Sequence, residues 1–168
     1  MFKALLDGFD QLVDGFDRLV CWLIMLAMAL MVAVVSMQVL LRYGFNSSMD
    51  WADDIGRLLF VTSVFLAVPI AVKQNAHISI GLLVDRLPPA GQNGLARFVA
   101  LLSAAMMLII GYFTLKVAAG QWSEMLPTVE VTIAVFMLPV AVGAFHSALH
   151  LLRIVWAGPP ERAAIGAE

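Results

Sequence analysis

Long uncharged runs, separated by short charged segments, dominate the pattern of hydrophobic and polar positions along the chain. Three of these runs have the roughly 17–25 residues that a helix needs to cross a bilayer. They cover residues 19–41, 98–115 and 131–152. The pattern therefore predicts that each of them is a transmembrane helix.

A fourth uncharged run, at 58–72, is too short to cross a bilayer by itself. Its 15 residues would span about 22 Å as a helix, whereas the hydrocarbon core is about 30 Å thick. Extending the helix back to Trp51 supplies the missing length, but places Asp53, Asp54 and Arg57 in its first two turns. The predicted fold is an all-α membrane protein with four transmembrane helices, the second at about 51–72.

The N-terminal segment has a different pattern, a seven-residue duplication in which "LLDGFDQ" is followed by "LVDGFDR". On a helical wheel its apolar residues fall in one arc and its aspartates, including Asp17, fall opposite. Such a helix is predicted to lie along the membrane interface. It would be either a plain lead-in on the membrane surface or a helix whose apolar face rests on lipid tails and a neighbouring protein together. An amphipathic interfacial helix at 1–18 would thus precede a transmembrane domain at 19–155 and a short polar tail at 156–168.

Composition agrees with a membrane protein. The chain has 168 residues, of which 62% are hydrophobic and 13% charged, and its mean hydropathy is +0.93. Soluble domains are about 45–50% apolar and about 25% charged. Ten Lys and Arg residues spread along the chain do not form the basic stripe that nucleic-acid binding requires, so we expect no nucleic-acid partner.

The distribution of basic residues predicts the orientation of the helices. The side that holds the N-terminal segment, the middle loop and the tail carries seven of them, and the other side carries three. The seven are Lys3, Arg18, Lys73, Arg86, Arg97, Arg153 and Arg162, and the three are Arg42, Arg57 and Lys116. Because cytoplasmic loops are enriched in Lys and Arg, we expect both termini to be cytoplasmic.

The predicted helix interiors contain little that could do chemistry. Charge at mid-membrane depth is costly and marks function, and the middle of each span lacks it. No G-x-S-x-G motif or glycine-rich phosphate loop occurs, and the adjacent Asp53 and Asp54 would point about 100° apart on a helix. We therefore expect no catalytic residue, no substrate-binding residue and no cofactor, and the chain is not predicted to be an enzyme.

Two histidines, His146 and His150, are spaced i, i+4 and would share one helix face. A zinc site needs further ligands, and the remaining histidine, His77, lies in the loop on the same side of the membrane. Hydrogen bonding between helices is the favoured interpretation of the pair. The sequence analysis therefore assigns no metal ligand.

The charged segment between the first two spans predicts a structural ionic cluster of Arg42, Asp53, Asp54 and Arg57. The two aspartates precede Arg57 by four and three residues, the spacings at which helical side chains meet. Arg42 ends the first span on the same side. A closed set of two acids and two bases would join the first two helices at the outer surface.

Several short motifs resemble those of a known family. They are "RYGFN" at 42–46, "WADDIGR" at 51–57, "AHISI" at 76–80 and the pair Leu138-Pro139. In this order, over about residues 15–155, they resemble the small membrane subunit, of the DctQ type, of tripartite ATP-independent periplasmic (TRAP) transporters. The chain departs from the pattern in its Asp-Asp doublet, where the family more often has Glu, and in 65–68, which lacks a common glycine.

The resemblance implies a small, non-catalytic scaffold subunit in the bacterial inner membrane. It would assemble with a large membrane subunit that uses the sodium gradient, and with a periplasmic solute-binding protein that captures an organic acid. The outer loops, with Asn46, Asp50, Trp51 and Glu124, are predicted to contact that binding protein. Solute specificity would lie mainly in the other two components.

Two alternatives come from other classes of protein. A self-contained four-helix exporter of the multidrug type would act as a dimer and would need a carboxylate embedded in the membrane. A small membrane enzyme would use His146 and His150. Stable association with a large partner would distinguish the scaffold from both.

Overall fold

Four long helices form most of the computed structural model, which describes residues 2–47, 49–73 and 88–158. They are α1 (Phe2–Gly44), α2 (Asp50–Lys73), α3 (Pro89–Gly120) and α4 (Met137–Ala157), and a 3₁₀ turn at Ile133–Phe136 leads into α4. Four stretches of 24 or 30 residues, the last of which includes the 3₁₀ turn together with α4, are apolar enough to cross a membrane. The predicted all-α architecture with four membrane-spanning helices is confirmed.

Helix α2 begins at Asp50, so its first turns contain the acidic residues that the length argument placed there. Asp50 and Asp53 both lie in the first turn, where the helix dipole favours negative charge. The second membrane span therefore starts with charged residues at its N-terminal end and becomes apolar only after Arg57. His77 and the rest of 74–87 lie outside the described residues, as does the predicted tail from residue 159 onward.

Helix α1 runs without a break through its 43 residues. At about 1.5 Å per residue it is about 65 Å long, which exceeds the hydrocarbon thickness of about 30 Å. Part of α1 therefore extends outside the bilayer core. The backbone stays helical across residue 18, where the interfacial helix was predicted to end and the transmembrane domain to begin. The position of the N-terminal segment at the membrane interface stays a prediction.

The helices are arranged as a row. Close packing joins α1 to α2, α2 to α4, and α4 to α3, so α2 and α4 are central and α1 and α3 form the flanks. Burial follows this order, because 44% of the most apolar stretch of α4 is buried in the fold and only 11% of that of α1. Both flanks consequently present broad apolar surfaces to their surroundings.

Small residues allow the central helices to approach closely. Gly143 of α4 lies so near α2 that a Cβ atom there would overlap the carbonyl oxygen of Phe65. Between α1 and α2, the buried Ala52 and Gly56 face Val35 at a wider spacing. Close contacts of this kind drive helix association in lipid, where hydrophobic burial gives no advantage to protein over lipid tails.

The two loops at the end of the bundle where α2 begins are ordered by backbone hydrogen bonds. Asn46 has a positive φ of 51°, and beside it the N–H of Ser47 reaches back to the carbonyl of Leu41 at 3.2 Å, as in helix ends closed by a left-handed residue. In the loop after α3, the N–H of Ile133 donates to the carbonyl of Glu124 at 2.9 Å. This loop therefore folds back on itself before the chain enters α4.

The contact at Gly143 predicts a stability change. Gly143→Ala should lower the free energy of unfolding by about 1–3 kcal/mol, because the added methyl group must push α4 away from α2. Equilibrium unfolding in mixed detergent micelles measures the difference. The matched control is Gly94→Ala in α3, where a Cβ would meet nothing within 4 Å and the better helix former should leave stability unchanged or slightly raised. Equal stability of the two variants would contradict the close approach.

Candidate functional site

A buried polar cluster lies near the end of the bundle at which α2 ends. Asp17 from α1 is 6% exposed, and its carboxylate accepts a hydrogen bond from Lys73 Nζ of α2, with 2.5 Å between Nζ and Oδ2. Its other oxygen, Oδ1, lies 2.9 Å from His146 Nε2 and 3.0 Å from His150 Nε2, both of α4. Three helices therefore meet at one carboxylate, which we call the Asp17 cluster.

Asp17 reaches this position because it lies on the buried stripe of α1. Val13, Asp17, Val20 and Ala27 are all buried, at spacings of four, three and seven residues that place them on one helix face. Asp17 therefore points into the fold rather than away from it.

The sequence analysis had placed Asp17 on a polar face opposite the apolar arc of the N-terminal helix. The structure corrects this interpretation, because Phe16 and Leu19 of that arc are 41% and 55% exposed. A membrane protein exposes apolar side chains to lipid and keeps charged ones inside, paired with each other. The signal that was missed is the heptad-like spacing of Val13, Asp17, Val20 and Ala27.

Within the Asp17 cluster, the two histidines also contact each other, and His146 contacts Phe16. Their Nε2 atoms lie 3.2 Å apart, as the i, i+4 spacing allows, and both rings are at most 3% exposed. Phe16 packs edge-on against His146, with 4.7 Å between ring centroids. Nδ1 of His146 is buried and has no hydrogen-bond partner among the described residues. The predicted hydrogen bonding of the histidine pair between helices thus takes the form of contacts with Asp17.

At the end of the bundle where α2 begins, the structure gives the two acids of the predicted ionic cluster different partners. Gln38 Nε2 of α1 donates to Asp53 Oδ1 at 2.8 Å, and the hydroxyl of Thr128, in the loop before α4, donates to Asp54. Adjacent residues on α2 point in different directions, so one aspartate faces α1 and the other faces that loop.

Neither Arg42 nor Arg57 forms an ion pair with Asp53 or Asp54 within the described part of the chain. Both arginines are exposed, and an exposed ion pair gains little over hydration of the two charges. The predicted closed set of two acids and two bases is therefore replaced by two separate hydrogen bonds from neutral side chains. Asp53 still links α2 to α1, as the cluster was expected to do.

The predicted partner-contact residues lie at the end of the bundle where α2 begins, on the two loops and the start of that helix. Asn46, Asp50 and Glu124 are exposed, and Trp51 is 41% exposed. Asn46 also has the local role described above, because its left-handed backbone ends α1. These four residues form no shared pocket with the Asp17 cluster, which lies at the opposite end of α2.

Between the two ends, the buried hydroxyl groups are used within their own helices. Ser63 Oγ donates to the carbonyl of Phe60 at 2.8 Å, and Ser147 Oγ donates to that of Gly143 at 2.7 Å. Hydroxyls bonded in this way leave no donor directed at a ligand. In residues 49–73 and 137–157, the helix interiors away from the Asp17 cluster therefore offer no polar cradle for a solute.

The flanks are the largest candidate interaction surfaces. Trp22 and Leu40 of α1 are 70% and 68% exposed, and Phe98 and Tyr112 of α3 are 64% and 62% exposed. Apolar surface of this extent must be covered by lipid or by another membrane protein. The arrangement is suited to lateral contact in the bilayer rather than to chemistry.

The pairing of Asp17 with Lys73 predicts a measurable coupling energy. In a double-mutant cycle of Asp17→Asn and Lys73→Gln, measured by unfolding with a metal chelator present, we expect about 0.5–3 kcal/mol of coupling, because their charge-assisted hydrogen bond is made only when both residues are present. The control cycle pairs Lys73→Gln with Asp50→Asn, at the far end of α2, and should be additive. Additivity in both cycles would refute a stabilising contact between Asp17 and Lys73.

Comparison with known proteins assigns the chain to a family. Residues 31–158 match the family described as the DctQ component of tripartite ATP-independent periplasmic transporters. A TRAP transporter small permease protein of Haemophilus influenzae is 38% identical over 97 residues, which cover 58% of this chain and 56% of that protein. The small permease protein SiaQ of a sialic acid TRAP transporter of Vibrio cholerae is 28% identical over 88 residues, or 51% of each chain.

A longer relative is also similar. The isethionate TRAP transporter permease protein DctMQ of Oleidesulfovibrio alaskensis is 30% identical over 73 residues, which make up 39% of this chain and 11% of that protein. The matches to the two small permease proteins span about half of their length. The family match extends from the middle of α1 to the end of α4 and so includes the transmembrane helices. The chain is a multi-pass protein of the inner membrane and belongs to the DctQ family, the small permease component of TRAP transporters.

Proposed function

We propose that the chain is the non-catalytic scaffold of a sodium-driven TRAP transporter that takes up an organic acid. In this proposal it holds a large membrane subunit, which moves the solute, and works with a periplasmic solute-binding protein. The single observation that carries the proposal is the row of helices with apolar flanks and satisfied interior hydroxyls. Within the described helices, such a row has surface for a partner but no polar path for a solute.

The names of the relatives agree with a scaffold that does not select the solute. SiaQ is named for sialic acid and DctMQ for isethionate, so similar chains occur in transporters of different solutes. DctMQ is a permease of which the matched segment is only 11%. A small-subunit segment within a much longer permease supports a lasting association between the two membrane components.

The flank of α1 is the docking surface we propose for the large subunit. Its apolar stretch is the least buried of the four, and Trp22 and Leu40 project from it. Lipids would cover the flank of α3. The seven basic residues against three support cytoplasmic termini, which would place Asn46, Asp50, Trp51 and Glu124 on the periplasmic side, where the binding protein would meet them.

The comparisons do not favour the self-contained exporter, and an enzyme finds no support in the interior of the helices. The embedded carboxylate that an exporter would require is represented here by Asp17. That residue is held by Lys73 at the end of the bundle and lies outside the middle of the apolar row. A scaffold accounts for both the wide apolar flanks and the position of the charges.

Tryptophan substitutions on the two flanks test the docking surface. Ala33→Trp on α1 should reduce co-purification of the large subunit about 5- to 150-fold, because overpacking an interface costs about 1–3 kcal/mol. Ala105→Trp on α3 is the matched control, since both alanines are exposed and lipid accommodates the larger ring. The measurement is the ratio of the two subunits after co-expression and affinity purification.

Solute uptake by the same cells extends this test. We expect uptake to fall with Ala33→Trp and to be maintained with Ala105→Trp, whereas Asp50→Lys and Glu124→Lys should weaken uptake while co-purification is retained. A wild-type chain that never co-purifies with a large membrane subunit would refute the scaffold. Loss of the complex with Ala105→Trp alone would assign docking to α3 instead.

A further inference from the structure

We propose that Asp17, His146 and His150 form a binding site for a divalent first-row transition-metal ion, with Zn²⁺ as its representative, and that the ion fastens α1 to α4. The sequence analysis assigned no metal ligand because the histidine pair lacked further ligands. Asp17, which lies 129 residues before His146 in the chain, supplies the third ligand. The site is independent of the proposed transport role.

The three ligand atoms form a compact triangle. Asp17 Oδ1 lies 2.9 Å from His146 Nε2 and 3.0 Å from His150 Nε2, and the two nitrogens are 3.2 Å apart. Ligand atoms at about 2.0–2.2 Å from a tetrahedral Zn²⁺ would be separated by roughly 3.3–3.5 Å. A movement of a few tenths of an ångström at each side chain is enough to admit the ion.

Without a metal ion, no placement of protons gives all three ligand atoms good hydrogen bonds. If both Nε2 atoms carry a proton and donate to Oδ1, two N–H groups converge on one oxygen while their nitrogens lie only 3.2 Å apart. If one Nε2 is unprotonated, its lone pair faces the carboxylate oxygen at about 3 Å. A central cation attracts all three lone pairs at once, and two imidazoles with one carboxylate are a ligand set that divalent transition metals accept.

Burial and position add to the geometry. All three residues are more than nine-tenths buried, so few competing water contacts must be lost from them when an ion binds. His146 and His150 lie on successive turns of one helix, and Phe16 packs against the ring of His146, which limits rotation of that ring. The ligands are therefore held in place before the metal arrives, which reduces the entropy lost on binding.

The second oxygen of Asp17 is bonded to Lys73 Nζ, so Oδ1 is the oxygen available to an ion. The Lys73 side chain is 38% exposed, and its positive charge opposes a second cation nearby. A cleft of about 670 Å³ beside it is lined by Asp17 and Lys73, and also by Arg18, Cys21 and Trp22. Asp17 is the only one of the three ligands that lines this cleft, so an ion would reach the site from the Asp17 side.

Metal binding to the purified chain tests the site. The protein carries Cys21→Ser to remove the thiol in the cleft, is stripped with a chelator, and is titrated with Zn²⁺ against a chromophoric competitor. We expect one equivalent to bind and to raise the unfolding temperature, because the ion binds only the folded state. Co²⁺ in place of Zn²⁺ should give the visible absorption of a tetrahedral site.

Ligand and control variants decide the assignment. Asp17→Asn, His146→Gln and His150→Gln should each weaken Zn²⁺ binding by at least about tenfold, since even residues that only support ligands change affinity about 10- to 100-fold. His77→Gln should leave binding unchanged. Lys73→Gln should tighten binding, although it removes an ion pair in the metal-free protein, because a competing positive charge is lost.

Three results would overturn the proposal: no stoichiometric binding by the stripped protein, unchanged affinity in both His146→Gln and His150→Gln, or loss of binding in His77→Gln. If the ligand variants fail to fold, the wild-type stoichiometry and the Lys73→Gln variant decide the question. Weaker binding in Lys73→Gln would then count against a site at Asp17. One equivalent bound more tightly in that variant would support it.

Discussion

Hydrocarbon offers no hydrogen bonds, and this constraint governs where each polar group of the chain lies. The buried hydroxyls of Ser63 and Ser147 bond to carbonyls of their own helices. The charged side chains occur near the two ends of the helices, where they meet partners or solvent. What remains between the ends is an apolar row whose helices associate through shape, as at the contact between Gly143 and Phe65, rather than through polar attraction.

The Asp17 cluster shows how that constraint also joins the helices. Close packing connects α1 to α2, and Asp17 adds a polar link from α1 to both α2 and α4. Breaking such a link leaves a buried charge without its partner, which costs far more than the loss of an exposed ion pair. The least buried helix, α1, is therefore linked to its neighbours by Asp17 at the start of its apolar stretch. Towards the other end of that stretch it is linked by the hydrogen bond between Gln38 and Asp53.

The sequence alone predicts the four spans, because span length follows from bilayer thickness and needs no tertiary information. It also predicts that α2 starts among the acids near Asp53, since the apolar run is too short without them. It does not predict their partners, because Gln38 and Thr128 are distant along the chain and come close only after the helices pack. Asp17 was misplaced for the same reason, since a helical wheel separates polar from apolar residues but does not show which face turns inward. The i, i+4 spacing of the two histidines is visible in the sequence, but their contact with Asp17 is not.

In the proposed scaffold role, a chain with hydrogen-bonded interior hydroxyls and two apolar flanks would hold a partner in the membrane, and the partner would move the solute. The most direct measurement is gradient-driven flux into liposomes that contain either this chain alone or this chain together with its large subunit, with the solute-binding protein and its solute present in both. The account predicts sodium-dependent uptake only in liposomes that contain both membrane subunits. Solute uptake by liposomes that contain this chain alone would contradict it.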